Sequence, residues 1–134
     1  MTITRLIYKL FLPFIMLLLI SCEGSTERVW SVKNSTSDLV KVRAELRINS
    51  DTVWENIEAG DSRIITITTE DWGNSDPQFV YDVFSGFLVT KIGDTIHKNW
   101  ADDDNWEIYF EQTKHKPDHY QQTYDFVVTD VDFE

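Results

Sequence analysis

The chain has 134 residues, which is enough for one domain but not for two. It carries 12 Lys and Arg against 23 Asp and Glu residues. This formal net charge of −11 argues against a nucleic-acid partner, because phosphate backbones are neutralised by basic side chains. The single cysteine, Cys22, excludes an intrachain disulfide, and an aromatic content of 13% excludes a disordered acidic tail.

The first segment of the chain has the pattern of a secretory signal peptide, which we place at residues 1–21. Arg5 and Lys9 precede an apolar run, Leu10 to Ile20, that is short for a membrane span of about 20 residues. Its end, Leu19-Ile20-Ser21-Cys22, resembles the bacterial lipobox. The resemblance implies that Cys22 receives a diacylglyceryl group, that cleavage occurs before it, and that its new amino group is acylated. The alternatives are an uncleaved anchor and a buried free cysteine.

The residues after Cys22 predict the membrane in which the lipoprotein is anchored. In diderm bacteria an aspartate at this position often signals retention in the inner membrane, and here Glu23 favours the outer membrane. Glu23 and Glu27 also resemble the acidic stretch that sends some Bacteroidota lipoproteins to the cell surface. Residues 22–27 are predicted to be a lipidated N-terminus with a short tether. Removal of residues 1–21, which hold two basic residues and no acidic ones, changes the formal charge from −11 to −13.

The first strand patterns follow this tether. Residues 28–33 predict a strand with Trp30 and Val32 on one side. Apolar and charged residues then alternate strictly over residues 40–48, which predicts a strand with one buried and one solvent-facing side.

Basic residues dominate the solvent-facing side of that second strand. Lys41, Arg43 and Arg47 lie there with Glu45, in an otherwise acidic chain. We expect these basic side chains to meet carboxylates on a neighbouring strand.

The middle of the chain continues as short strands separated by turns. Strands are predicted over residues 52–57, 62–69, 87–92 and 95–97, with turns at residues 49–51, 59–61 and 93–94. Residues 79–84 fit either a helix or a strand.

Two further strands are predicted near the end of the sequence. Trp106, Ile108 and Phe110 alternate with more polar residues, and residues 120–133 predict a long last strand. The apolar phase of that strand slips after Phe126, which predicts a bulge. Seven or eight short strands with turns roughly every ten residues are typical of a β-sandwich. A domain of this size can form one without a metal or a disulfide.

Five short motifs lie along the predicted strands. They are Trp30 to Thr36, Ile57 to Ser62, Ile92 to Ile96, Asn105 to Glu107, and Tyr124 to Phe133. Together they resemble the small uncharacterised lipoproteins of Bacteroidota. The resemblance implies a single immunoglobulin-like antiparallel β-sandwich over residues 28–134, behind a lipoprotein signal peptide. It implies no activity and no site beyond Cys22.

Acidic loops are candidate metal sites. Asp102, Asp103 and Asp104 form the densest group of oxygen ligands, and calcium takes six to eight oxygens. The spacing does not match an EF-hand, so the run is either a calcium site or a solvated acidic turn before a strand. A second acidic loop, over residues 70–76, has the same two interpretations.

Catalytic motifs are missing from the sequence. It holds no Gly-x-Ser-x-Gly elbow, no Ser-x-x-Lys pair and no glycine-rich phosphate loop, so we expect a non-catalytic protein without a cofactor. Pro117 separates His115 from His119, which favours a surface hairpin over a zinc-binding helix.

Tryptophans are the candidates for ligand contact. Trp30 and Trp106 lie in the apolar phase of strands, so we expect them in the core. Trp72 and Trp100 lie in polar loops, where an exposed indole can stack on a sugar ring or anchor a protein partner. The alternative is that these two fold back and cap one end of the sandwich.

These patterns predict a lipid-anchored protein of the outer membrane, at its periplasmic face or on the cell surface. Its role would be non-catalytic binding or structural support. Its partners would be the membrane, through the lipid, and a protein or a glycan. The alternatives are a carbohydrate-binding accessory module that uses Trp72 and Trp100, and a calcium-stabilised adhesin.

Overall fold

The computed structural model describes residues 24–134, and strands account for most of them. They are β1 (Ser25–Asn34), β2 (Val40–Leu46), β3 (Thr52–Ile57), β4 (Ser62–Asp71), β5 (Phe84–Lys91), β6 (Asp94–Thr95), β7 (Glu107–Lys114) and β8 (His119–Val128). One short helix, α1 (Val80–Val83), precedes β5. Two 3₁₀ helices lie at Asp103–Asn105 and Asp130–Phe133.

The strands form two four-stranded sheets that pack as an all-β sandwich, as the sequence predicts. Sheet A has the strand order β4-β1-β8-β7, and sheet B has the order β3-β2-β5-β6. All neighbours run antiparallel except β1 and β8, which pair in parallel from Ser25 and His119 to Asn34 and Val128. Sheet A is therefore mixed. The predicted signal peptide and Cys22 lie outside the described residues.

The sandwich begins earlier than residue 28, where the sequence analysis placed its start. Residues 25–27 belong to β1, and Ser25 lies opposite Asp71 of β4 and His119 of β8. Gly24 is also tightly packed, since a Cβ there would lie 2.1 Å from the carbonyl oxygen of Asp118. Residues 25–27 of the predicted tether are therefore strand, while Cys22 and Glu23 lie outside the described residues. Backbone pairing on both sides places these polar residues in a strand. We call the end of the sandwich at Ser25, Asp71 and His119 the proximal end.

The predicted long last strand also needs correction. β8 ends at Val128, and residues 130–133 form a 3₁₀ helix whose first turn is capped by Thr129 and Asp132. The change of apolar phase after Phe126 marks the end of the strand rather than a bulge within it.

The core lies between the sheets around Trp30 of β1. Its ring stacks on Tyr124 of β8 with 3.9 Å between ring centroids, and the edges of Phe84 and Trp106 complete the cluster. Trp30 is fully buried and Trp106 is 5% exposed, so both predictions for these tryptophans are confirmed.

A buried polar network holds the loop over residues 72–79 against the inner side of sheet A. The Arg28 guanidinium donates to Gln122 Oε1 (2.9 Å), to the Glu70 carboxylate (2.8 Å) and to the backbone carbonyl of Asp76 (3.1 Å). The Tyr124 hydroxyl donates to the same Gln122 oxygen at 2.7 Å. Because each polar group has a partner, the network fixes the loop in place near the proximal end.

Candidate binding face around Trp54

The outer side of sheet B carries an exposed row of three side chains. Strand register places Arg43 of β2 opposite Trp54 of β3 and opposite Leu88 of β5. The Trp54 indole is 70% exposed, and the guanidinium carbon of Arg43 lies 5.5 Å from its ring centre. This distance is within the range of a cation–π contact. We call this surface the Trp54 face.

A second, polar row lies beside the first. Lys41 of β2 is opposite Asn56 of β3 and Thr90 of β5. The two rows enclose a shallow depression of about 160 Å³, which Glu55 also lines.

The basic side chains of β2 do not meet carboxylates on the neighbouring strands, and that expectation was wrong. Arg43 pairs with Glu45 of its own strand, and Arg47 donates to the backbone carbonyl of Tyr81 at 2.7 Å. Lys41 has no ion-pair partner within residues 24–134. The reason is that the cross-strand neighbours of Lys41 and Arg43 are uncharged. Lys41 is therefore an exposed, unpaired lysine within the described residues of a chain whose net charge is −11.

The chemistry of the Trp54 face combines a flat apolar ring with cationic donors. An indole can pack against the apolar side of a sugar ring, and guanidinium and ammonium groups bind carboxylates. The Nε atom of Arg43 is buried and has no acceptor among the described residues, so this side chain does not use its full set of donors. Binding of an anionic, ring-shaped ligand is what this arrangement favours.

The two tryptophans singled out from the sequence lie on different parts of the sandwich. Trp72 follows β4 at the proximal end and is 65% exposed. Trp100 is half-buried, with its ring centroid 6.1 Å from that of Phe87, and its carbonyl oxygen accepts from Trp106 Nε1 at 2.8 Å. Trp106 directly precedes Glu107, which pairs with Asp125 of β8, six residues from His119 at the proximal end. Trp100 therefore lies away from the proximal end. The structure does not bring the two indoles onto one surface.

The three aspartates proposed for calcium take part in local hydrogen bonds. Asp102 Oδ1 accepts from the backbone N–H of Asp104 at 3.0 Å, and Asp103 Oδ1 accepts from the N–H of Val80 at 2.8 Å. Across residues 24–134, no three or more His, Cys, Asp or Glu side chains are grouped in a way that could hold a metal ion. This turn fixes the start of α1, and in the second acidic loop Glu70 pairs with Arg28.

No protein-family model, curated protein or solved structure matches the chain. In the described part of the chain, no helix is long and apolar enough to cross a membrane.

Sequence reasoning missed Trp54 because the pattern of its strand has two interpretations. Val53 and Ile57 indicate one buried side, but Trp54 itself suggests the other. A signal was present, since Trp54 shares its side of the strand with the polar residues Thr52 and Asn56. An outward-facing tryptophan could have been predicted from that phase.

Proposed function

We propose that this chain is a lipid-anchored envelope protein whose sandwich binds a ligand non-catalytically on the Trp54 face. The observation that carries the binding role is the 70% exposure of the Trp54 indole beside the Arg43 guanidinium. A large exposed aromatic ring flanked by charged donors is typical of interaction surfaces. The proposed anchor is supported by the segment Leu19-Ile20-Ser21-Cys22, which resembles a lipobox. The two or more acyl chains of such an anchor would hold the protein stably at a bilayer.

The ligand class that fits this face best is a glycan that carries carboxylate groups. The indole supplies a stacking platform, and Lys41, which has no ion-pair partner within residues 24–134, supplies an ammonium group for the carboxylate of a uronic acid. The whole chain is acidic, so general electrostatics oppose the approach of an acidic glycan. Binding would therefore depend on this face. Carbohydrate binding was one of the alternatives drawn from the sequence, with Trp72 and Trp100 as its residues, and we now propose it for Trp54 instead.

Affinity electrophoresis tests the binding role. We expect the protein to be retarded in gels that contain alginate and not in gels that contain dextran. The Trp54→Ala variant should lose the retardation, since the stacking platform is gone, whereas Trp72→Ala should keep it. Equal migration of wild type with and without alginate, or retardation that survives Trp54→Ala, would contradict the proposed role of this face.

Metabolic labelling with a fatty-acid probe tests the anchor. We expect the label to enter the protein and to disappear in the Cys22→Ala variant, since that thiol is the proposed attachment point. The labelled protein should fractionate with the outer membrane. Labelling that persists in Cys22→Ala would show that the anchor is elsewhere.

A further inference from the structure

The described chain begins at the proximal end of the sandwich, in close contact with two other segments. The carbonyl oxygen of Gly24 accepts from the backbone N–H of Trp72 at 2.9 Å. The N–H of Ser25 donates to the carbonyl oxygen of Asp118 at 3.1 Å. Cys22 is two residues before Gly24 in the sequence, and two residues of chain span at most about 7 Å. A lipid on Cys22 would therefore enter the bilayer directly beside this end.

We infer that the proximal end, at Trp72, Lys114 and Lys116, rests on the phospholipid surface. The inference rests on the proposed lipid anchor at Cys22, and it adds a second, non-covalent contact with the membrane. With β1 starting at Ser25, only residues 23 and 24 separate the proposed lipid from the first strand. So short a connection holds this end of the domain at the level of the lipid headgroups.

Trp72 has the chemistry of a residue that lies at a membrane interface. Its indole is 65% exposed, although burial is the usual state of so large an apolar group. Its φ of 76° is a left-handed conformation that costs free energy in any residue other than glycine. The contact with Gly24 and the rigid loop over residues 72–79 hold it there. Tryptophan is enriched at membrane interfaces, where its apolar ring and its N–H group are both accommodated.

The turn between β7 and β8 adds basic side chains at the proximal end, near Trp72. Lys114 pairs in register with His119, which lies opposite Ser25 at the proximal end. Lys114 and Lys116 are exposed and have no ion-pair partner within residues 24–134. Lysine near a membrane surface is attracted to anionic headgroups.

Carboxylates share this end with the lysines. They are Asp71, directly before Trp72, Asp118, whose Oδ1 accepts from Gln112 Nε2 at 3.0 Å, and Glu27, which lines the same depression as Lys114. Lys114 and Lys116 offset part of this negative charge. The exposed Trp72 indole therefore supplies the membrane contact, and the lysines reduce the electrostatic cost of bringing an acidic chain to an anionic surface.

Quenching by brominated lipids tests the inference on the full lipidated chain, reconstituted in vesicles of phosphatidylethanolamine and phosphatidylglycerol. Bromine on the upper acyl chain quenches indoles at the interface. We expect wild type to be quenched and Trp72→Gly to lose about half or more of that quenching, because the other indoles lie in the core or away from this end. Glycine adopts the positive φ without strain, so this variant keeps the fold.

The matched control is Trp54→Tyr, which removes an indole of similar exposure from the outer side of sheet B. It should keep the quenching. Quenching of Trp72→Gly equal to that of wild type, or loss of quenching in Trp54→Tyr instead, would overturn the inference. The mass of the Cys22 adduct is measured first. If Cys22 carries no lipid, the proposed anchor and this inference both fail; if it carries lipid and Trp72 is not quenched, only this inference fails.

Discussion

Ile92 adopts a backbone conformation that suits its side chain poorly. It forms the turn between β5 and β6 with Gly93, and the φ values of the two residues are 50° and 85°. Two-residue hairpin turns with positive φ at both positions favour Asn-Gly, whereas a β-branched side chain in this region is strained. The side chain is also 78% exposed and gains little from burial.

We therefore expect Ile92→Asn to stabilise the protein. The substitution creates the preferred Asn-Gly pair and should raise the free energy of unfolding by about 1 kcal/mol. Urea denaturation followed by tryptophan fluorescence measures the change. The control is Gly93→Ala, which should lower stability because glycine supplies the φ of 85° at that position. An unchanged or lower midpoint for Ile92→Asn would show that this turn carries no strain.

At the scale of single residues, the sequence predicted what lies inside better than what lies outside. Trp30 and Trp106 follow from strand phase, because a buried side chain must match the apolar side of its strand. The partners of Lys41 and Arg43 do not follow from their own strand, since the facing residues are set by which strand is the neighbour. The Trp54 face could therefore not be predicted from the residue pattern within single strands, although each of its residues lies in a predicted strand.

At the scale of elements, an ion pair ties the last 3₁₀ helix to sheet B. The Lys91 ammonium of β5 donates to the Asp130 carboxylate at 2.6 Å and lies 4.9 Å from the ring centre of Phe133. The hydrogen bond from Lys91 lowers the pKa of Asp130 below its ordinary value of 3.8. The hydrogen bond to Asp130 raises the pKa of Lys91 above 10.5. Both shifts favour the charged forms.

The sign of these shifts gives a pH dependence. A carboxylate with a lowered pKa stabilises the fold above its unfolded pKa, and this contribution is lost as pH falls below 3.8 through the folded value. We expect Asp130→Asn to lower the urea midpoint relative to wild type by more at pH 7 than at pH 3, which is below the ordinary pKa of 3.8. The control is Glu58→Gln, an exposed acidic residue with the same charge change. A difference between Asp130→Asn and wild type that is equal at both pH values would contradict a role for this ion pair.

The element boundaries show which strand ends can be predicted from the local sequence. β2 and β3 begin at the residues that alternation and turn chemistry predict, and β3 also ends there, because turn residues lie close to these strand ends in the sequence. The start of β1 and the end of β8 were misplaced for the opposite reason. Ser25 to Glu27 are polar yet become strand through pairing with β4 and β8, and Val131 and Phe133 are apolar yet lie in a 3₁₀ helix.

At the scale of the whole molecule, the sequence predicted the sandwich but not its strand order. Alternation shows that a strand has one buried side, and the number of short strands indicates two sheets. Neither signal states which strands are neighbours. The central position of β1 between β4 and β8, with a parallel pairing to β8, depends on contacts between residues far apart in the chain.

The pairing of β1 with β8 also sets an order of events in time. Among the strands of residues 24–134, β1 is synthesised first, yet its partner on one side is β8, the last of them, 94 residues later at Ser25 and His119. Pairings across such a separation form slowly, because closing a long loop costs conformational entropy before the strand pairing can stabilise the chain. If Cys22 is acylated as the chain crosses the inner membrane, the lipid attaches to a protein whose sheet A is still incomplete. The domain would then finish folding while already tethered, so its folding and its membrane attachment would be one process.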